Sequence, residues 1–451
     1  MNDDVVDGGD EDAEDPQDPL SREARGNDTR ARDTRAWVLH PDIHKSGGNA
    51  RKPALALEEA MALGRALPGL EVVGGTVVRL PKIHPGKLFG KGKIAELKAQ
   101  FEEAGIELVL IDGPVSPVQQ RNLEKDWDVK ILDRTGLILE IFSDRAATRE
   151  GVLQVEMAAL SYQRTRLVRA WTHLERQRGG LGFVGGPGET QIEADRRAID
   201  DHIVRLRRQL DKVAKTRTLH RAARAKVPFP IVALVGYTNA GKSTLFNYLT
   251  GADVMAKDML FATLDPTMRR IALPGGGPEV ILSDTVGFIS DLPTELVAAF
   301  RATLEEVLSA DLILHVRDIA HPETEVQKAD VEEILTSLKV EEGTPRLEIW
   351  NKIDLVPPEE RAALITRAER TEDVQAISSV TGEGMQALVD RITQMLTGEA
   401  RREEVSLPFS AGRQRAWLHQ HGLIEDEAQG EDGYELTVRW TPRQRAEFDA
   451  L

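Results

Sequence analysis

Ile231-Val232-Ala233-Leu234-Val235 runs into Gly236-Tyr237-Thr238-Asn239-Ala240-Gly241-Lys242-Ser243 and on to Thr244-Leu245-Phe246-Asn247-Tyr248-Leu249. A short apolar strand, a loop spelled G-x-x-x-x-G-K-S and a helix are the context in which that loop cradles phosphate. The glycines let backbone N–H groups close round an anion, and the helix N-terminus adds its positive end. Lys242 is placed to reach the β- and γ-phosphates, and Ser243 to hold Mg²⁺ through its hydroxyl. An idle glycine turn is the bland alternative, and the flanking strand and helix argue against it.

Downstream, a polar segment holds Phe261-Ala262-Thr263-Leu264-Asp265, and two runs separated by Pro274-Gly275-Gly276-Gly277-Pro278 read as a hairpin. The second run delivers Asp284-Thr285-Val286-Gly287. An acidic residue at a strand end, followed three positions later by glycine, suits a carboxylate holding Mg²⁺ through water and a backbone N–H meeting the γ-phosphate. Alone D-x-x-G is weak; in this order after a phosphate loop it is specific. The strand Leu312-Ile313-Leu314-His315-Val316 needs no chemistry, but the next, Leu347-Glu348-Ile349-Trp350, ends in Asn351-Lys352-Ile353-Asp354. A fixed carboxylate there accepts hydrogen bonds from the N1–H and amine of guanine, which adenine does not offer. Asn351 is expected to brace the base and a neighbouring loop, and the stem of Lys352 to cover one ring face. Ser378-Ser379-Val380 brings backbone donors to the guanine carbonyl. Together these elements predict a guanine-nucleotide switch domain with GTP and GDP as substrate and product.

The chain has 451 residues, 41% of them hydrophobic, which is enough for two to four domains each with its own core. It contains no cysteine, excluding disulfides, thiolate metal sites and a cysteine nucleophile, and fitting a reducing compartment. No apolar run approaches bilayer length and the N-terminus is acidic, so the expectation is a soluble, cytoplasmic protein without a membrane segment. The formal charge is −16, but residues 1–20 hold nine Asp or Glu and no Lys or Arg, leaving −7 for the remainder.

Residues 1–34 are too polar to repay the entropy of ordering and read as a disordered acidic tail. Over 35–147 strands alternate with helices of ten or so residues, the pattern of a parallel α/β sheet. Within it lies Lys82-Ile83-His84-Pro85-Gly86-Lys87-Leu88-Phe89-Gly90-Lys91-Gly92-Lys93, either a phosphate-holding loop or a solvated basic one. Over 148–226 the spacing turns to coiled coil: Leu153, Met157, Leu160, Leu167, Trp171 and Leu174 in one helix, and Ile199, Ile203, Leu206, Leu210 and Val213 in the next. Two matching seams predict an antiparallel hairpin, joined by the glycine-rich stretch Arg178 to Thr190 that carries Phe183. Residues 161–226 hold sixteen Lys or Arg against seven Asp or Glu, a surface that attracts phosphate backbones, although a merely solvated face is the alternative. Val227-Pro228-Phe229-Pro230 stops the helix and opens a nucleotide domain over 227–398. In the tail, 399–451, Arg401-Arg402-Glu403-Glu404 reads as a charged link to a small domain with a short helix and strands.

With Gly180 to Glu193, Asp195-Arg196-Arg197, Gly236 to Ser243, Phe261 to Asp265 and Gly90-Lys91-Gly92-Lys93 in view, the chain resembles the HflX family of GTPases over roughly residues 36 to 450. The resemblance implies an α/β multidomain fold: an N-terminal parallel α/β domain, a helical hairpin, a Ras-like P-loop GTPase domain and a small α+β C-terminal domain. It implies GTP hydrolysis linked to the large ribosomal subunit and its RNA, separating stalled or idle ribosomes, by a chain that is monomeric off the ribosome. ATP binding by the N-terminal domain and remodelling of ribosomal RNA belong to the same resemblance. Carried over by position, Ser243 and Thr263 are the Mg²⁺ ligands, and Lys242, Thr263, Asp284 and Gly287 the catalytic set. Phe288 stands where many switch GTPases place a water-orienting Gln, so hydrolysis is expected to be slow without a partner. Ser379 replaces the usual alanine of the guanine loop, with little consequence for a backbone contact. Two competing readings are a nucleotide-gated RNA-binding module with incidental turnover, and a nucleotide-driven RNA helicase working from the N-terminal domain.

Overall fold

The structure is a computed structural model describing residues 33–43, 51–177, 187–224, 229–251, 260–261, 264, 267–274, 277–290, 307–338, 340, 344–398, 401–430, 433–440 and 442–449. Over 168–177, 187–192, 214–224, 442–443 and 446–447 it describes the backbone alone. The acidic tail up to residue 32, the hairpin tip 178–186, and Ala262, Thr263 and Asp265 lie outside the described residues.

The N-terminal sheet has the order β2-β1-β3-β4, with β1 (Thr34–Ile43), β2 (Leu70–Leu80), β3 (Leu108–Ile111) and β4 (Lys130–Asp133) all parallel. The crossovers are α1 (Pro53–Ala66), α2 (Lys91–Ala104) and α3 (Pro117–Trp127). Because successive strand residues point to opposite faces, Val38 and Leu110 join Leu63 and Phe142 on one side, while Leu39 and Val109 join Leu97, Phe101 and Trp127 on the other. Helix α3 starts where its sequence says it should: Ser116 and Gln119 form a reciprocal capping box ahead of Pro117. A helix absent from the sequence reading, α4 (Arg134–Arg145), follows β4 directly, capped by Asp133 Oδ1 accepting from the Gly136 N–H at 2.9 Å.

The hairpin pairs α5 (Arg149–Gln177) with α6 (Pro187–Arg224), and the side-chain contacts Arg164–Asp200 and His202–Glu156 run in the antiparallel sense. Leu153, Ile203 and Leu206 are buried in its seam, whereas Met157, Leu160, Leu167, Ile199, Leu210 and Val213 are half-buried. Pro187 to Thr190, read as loop, are helical instead: proline costs nothing at a first helical position, where its missing N–H has no partner to lose.

The nucleotide domain is a six-stranded sheet, order β10-β9-β8-β5-β7-β6. Its strands are β5 (Ile231–Gly236), β6 (Thr267–Ala272), β7 (Glu279–Asp284), β8 (Leu312–Asp318), β9 (Arg346–Asn351) and β10 (Val374–Ala376). Only β6 runs antiparallel, as the expected hairpin with β7. Helix α7 (Lys242–Thr250) begins at the end of the phosphate loop. Strand β8 is less plain than expected, since His315 and Arg317 are buried in it; burial pushes the His315 imidazole down to about 4, keeping it neutral.

Each of the three sheets has a core of its own, around Phe101 and Trp127, around Leu234 and Phe246, and around Leu418 and Trp440, but a further cluster crosses the boundary between the first two. Leu137, Ile138, Ile141 and Phe142 of α4, Val155 and Ala158 of α5, and Ala233, Val235, Phe261, Phe288 and Ile313 of the nucleotide domain form one apolar cluster. Phe142 and Phe261 meet edge to face at 4.7 Å. The reason lies in α4, whose apolar residues serve its own sheet and the neighbouring domain at once. The C-terminal sheet, order β11-β13-β12, comprises β11 (Arg401–Pro408), β12 (Ile424–Gln429) and β13 (Gly433–Trp440). Arg401 to Glu404 are therefore strand rather than link: β11 is an edge, where charged side chains are the usual protection, and Glu403 accepts from Trp440 Nε1 at 2.8 Å.

Candidate nucleotide site

The phosphate loop sits between the buried end of β5 and α7. Gly236 takes φ +153°, and a Cβ there would lie 2.2 Å from the Val316 carbonyl oxygen; Gly241 takes φ +93°, and a Cβ would meet Asn351 Nδ2 at 2.2 Å. Both glycines are thus fixed by close approach as well as by conformation. Asn239 adopts φ +59° and Ala240 is buried. Lys242 Nζ donates to the carbonyl oxygens of Gly236 and Tyr237 at 3.1 and 2.9 Å. Burial pushes its ammonium down to about 8, against the pull of Asp284. Thr238 Oγ1 is buried and takes no hydrogen bond among the described residues.

Asp284 ends β7 beside the loop, and Ser243 Oγ donates to its Oδ2 at 2.7 Å. One hydroxyl and one carboxylate are oxygen donors of the kind Mg²⁺ accepts, the remaining positions in such sites going to phosphate and water. Thr263, the other expected ligand, lies outside the described residues. Thr285 Oγ1 donates to the Leu234 carbonyl at 2.6 Å, which turns the chain after Asp284, and Val286 is buried. At Gly287 a Cβ would press on Thr238 Cα at 2.9 Å and Lys242 Nζ at 3.1 Å, so the backbone itself faces the phosphate loop. Phe288 is buried in the shared core, while its N–H donates to Gly236 O at 3.1 Å and its carbonyl accepts from Thr238 N at 2.7 Å. Its ring is a packing element. The side chains of Phe261 and Leu264 also lie in that core, which leaves only their backbone for nucleotide contact.

At the base end, Asn351 Nδ2 donates to Ala240 O at 2.8 Å and its Oδ1 accepts from Ser379 N at 3.0 Å. One buried amide thus ties the phosphate loop to the Ser378-Ser379-Val380 loop, tightened by Ser378 Oγ accepting from Thr381 N. Lys352, at φ +65°, is pinned by its ammonium to Asp318 at 2.8 Å, and Ile353 to Leu355 form a short 3₁₀ turn that presents Asp354. Asp354 Oδ1 is buried and has no hydrogen-bond partner among the described residues, a carboxylate oxygen aimed at a donor from outside the protein. Val380 is exposed.

Sequence reasoning missed the side chain of Tyr237, which leaves the phosphate loop for the N-terminal domain, its partners Glu59 and Ser290, and Arg134, which donates to both of those. The only signal was an aromatic residue at a loop position that asks for none.

Four family profiles match in sequence: GTP-binding GTPase N-terminal at 55–143, GTP-binding GTPase Middle Region at 145–224, 50S ribosome-binding GTPase at 231–352 and HflX C-terminal domain at 363–450. Among curated proteins, GTPase HflX of Magnetococcus marinus is 50% identical over 374 residues, covering 83% of this chain and 85% of that protein. GTPase HflX of Escherichia coli is 45% identical over 376 residues, covering 83% and 86%. A crystal structure of a GTP-binding protein from the hyperthermophilic archaeon Sulfolobus solfataricus in complex with GDP aligns over 81% of this chain and 99% of its own, with TM-score 0.43 and 24% identity. Phosphate loop, D-x-x-G turn and guanine pocket, carried with an N-terminal α/β sheet and a helical hairpin at this level of identity, show that the chain belongs to the HflX family of GTPases and is a GTP hydrolase.

Proposed function

We propose that the GTP form of this chain binds the large ribosomal subunit through its RNA and promotes ribosome splitting or rescue, with hydrolysis to GDP and phosphate timing its release. The observation that carries this reading is the match of residues 231–352 to 50S ribosome-binding GTPases, on a chain whose hairpin carries a local charge of +9 over 161–226. The hairpin is anchored rather than free: Tyr162 donates to Asp133 Oδ1 at 2.5 Å and Arg166 to Asp133 Oδ2 at 3.1 Å, so its base is joined to the N-terminal sheet. A positive arm on a fixed base suits entry into a phosphate-rich pocket. The working units are 35–147, 148–226, 227–398 and 399–451, behind the acidic tail 1–34. No helix among the described residues is long and apolar enough to cross a membrane.

In the nucleotide site the N–H groups of Gly236 to Ser243 receive the phosphates and Lys242 exchanges its two carbonyl partners for phosphate oxygens. Ser243 and Thr263 would hold Mg²⁺, which when bound would supply neutralisation of the developing phosphate charge; Asp284 would orient that site and the Gly287 N–H would meet the γ-phosphate. Asp354 reads guanine, backed by Asn351, Lys352 and the loop Ser378 to Val380. Phe288 contributes no hydrogen bond to water, so turnover waits on a group supplied with the partner. Adding purified large subunits to the GTP-loaded chain tests this: hydrolysis is expected to accelerate by about a hundredfold or more, the scale at which a missing catalytic group acts. An unaccelerated rate would favour a nucleotide-gated RNA binder with incidental turnover.

A further inference from the structure

Tyr237 occupies a variable position of the phosphate loop. Its ring is buried and its hydroxyl spends itself outside the loop: it donates to Glu59 Oε2 at 2.6 Å, lies 2.7 Å from Ser290 Oγ and accepts from the Ser290 N–H at 2.8 Å. Glu59, on α1 of the N-terminal domain, also accepts from Arg51 at 2.9 and 3.0 Å and from Arg134 Nη2 at 2.8 Å. Arg134 Nη2 donates in addition to the Ser290 carbonyl at 2.9 Å, while its Nη1 is held by Asp112 at 2.5 Å. Ser290 follows Gly287 by three residues. Its N–H, its carbonyl and its hydroxyl, which donates to Asp330 at 2.5 Å, are therefore all engaged, and two of the three partners depend on the N-terminal domain.

We propose that Glu59 and Arg134, acting through Tyr237 and Ser290, are positioning residues for GTP hydrolysis: they hold the segment after Gly287 in register with the phosphate loop.

Three observations carry the proposal. Phe288 already ties the start of this segment to Gly236 and Thr238 by backbone hydrogen bonds, so fixing Ser290 leaves the span between them little freedom. A shared apolar cluster joins the two domains without help, and a buried ion network is a costly adhesive, so adhesion alone does not account for it. The segment also lacks a water-orienting side chain, which puts the burden of geometry on backbone groups that tolerate little displacement. Burial works against the charge on Glu59, but Arg134 and Arg51 hold it below the usual carboxylate range; burial and Glu59 together raise the Tyr237 phenol, keeping it a donor.

The test uses the full chain and GTP hydrolysis alone, so it stands whether or not the ribosomal reading does. Tyr237→Phe removes one hydroxyl, and Glu59→Gln keeps shape while losing the charge that holds Arg134. Both are expected to lower kcat by about tenfold, a size typical of a small misplacement near the chemistry, with Kd for GTP and GDP within about twofold of the parent. In Tyr237→Phe the Ser290 amide should exchange hydrogen faster, because its acceptor is gone. Tyr162→Phe serves as control, since it removes a half-buried hydroxyl contact to Asp133 that involves neither Glu59, Tyr237 nor Ser290. It is expected to lower Tm and leave kcat alone. Unchanged kcat in both site variants, a loss appearing in Kd instead, or an equal kcat loss in Tyr162→Phe at equal Tm would overturn the proposal.

Discussion

Asp354 presents a buried carboxylate oxygen with no protein donor among the described residues, while Asn351 beside it spends both ends of its amide on loop backbone. That difference supports the proposed division of labour, in which Asn351 holds the pocket together and Asp354 reads the base. Asp354→Asn is expected to weaken GTP by roughly ten- to a hundredfold, the equivalent of about 1.5–3 kcal/mol for a charge-assisted hydrogen bond, and to favour xanthine nucleotides. Titration calorimetry with GTP and XTP checks it, and an unchanged GTP affinity would remove Asp354 from the pocket. Lys242 gives a second prediction. Its ammonium is held at about 8 in the chain without nucleotide, and phosphates would raise it. Binding of GTP at pH 9 should therefore take up about one proton, and at pH 7 almost none, read from calorimetric enthalpies in two buffers of different ionisation heat. Because this folded value lies below the ordinary 10.5, the unfolded chain binds more protons between pH 8 and 10.5, and stability conferred by this group rises with pH across that window.

At the scale of elements, what could be read from sequence was whatever is contiguous in it. Gly236 to Ser243, Asp284 to Gly287 and Asn351 to Asp354 are short backbone motifs whose residue types are dictated where they stand, and the alternation of β1 to β4 with their helices is a local period. The contacts that were not legible join residues far apart: Tyr237 to Glu59, Arg134 to Ser290, Phe142 to Phe261. No local spacing announces such pairs. Arg401 to Glu404 misled for a related reason, since a charged edge strand looks like a linker until its partner β13 is known. The hairpin shows the same boundary between pattern and chemistry. Its seam was visible in the heptads, but the proposed RNA contact falls on the stretch between α5 and α6. Because α6 begins at Pro187, residues 179–186 can be replaced by a Ser-Gly connection without touching either helix. Nucleotide binding should survive this change, and subunit separation followed by light scattering should fall steeply, as base stacking by Phe183 is worth about 1–3 kcal/mol. Lost thermal stability with full splitting per folded molecule would make the loop structural.

Across the whole molecule, the N-terminal sheet, the hairpin base and the nucleotide domain share one apolar cluster, and Asp133 and Arg134 stand side by side at the end of β4 facing different partners. Asp133 holds Tyr162 and Arg166 of the hairpin; Arg134 holds Glu59 and Ser290 next to the phosphate loop. Two adjacent residues thus tie the hairpin base and the segment beside the phosphate loop to the same strand end. The shared cluster also predicts joint unfolding: Phe142→Ala should cost about 3–5 kcal/mol and split a single calorimetric transition into two, because the ring it deletes spans the boundary. One undivided transition at a lower temperature would mean the domains are coupled elsewhere.

A GTP-gated grip on the large ribosomal subunit can be read by sedimenting the full chain with purified large subunits in GTP, a non-hydrolysable GTP analogue and GDP. Co-sedimentation is expected with the analogue, less with GTP as hydrolysis proceeds, and release in GDP. Equal co-sedimentation in all three states, or none in any, would contradict such a grip.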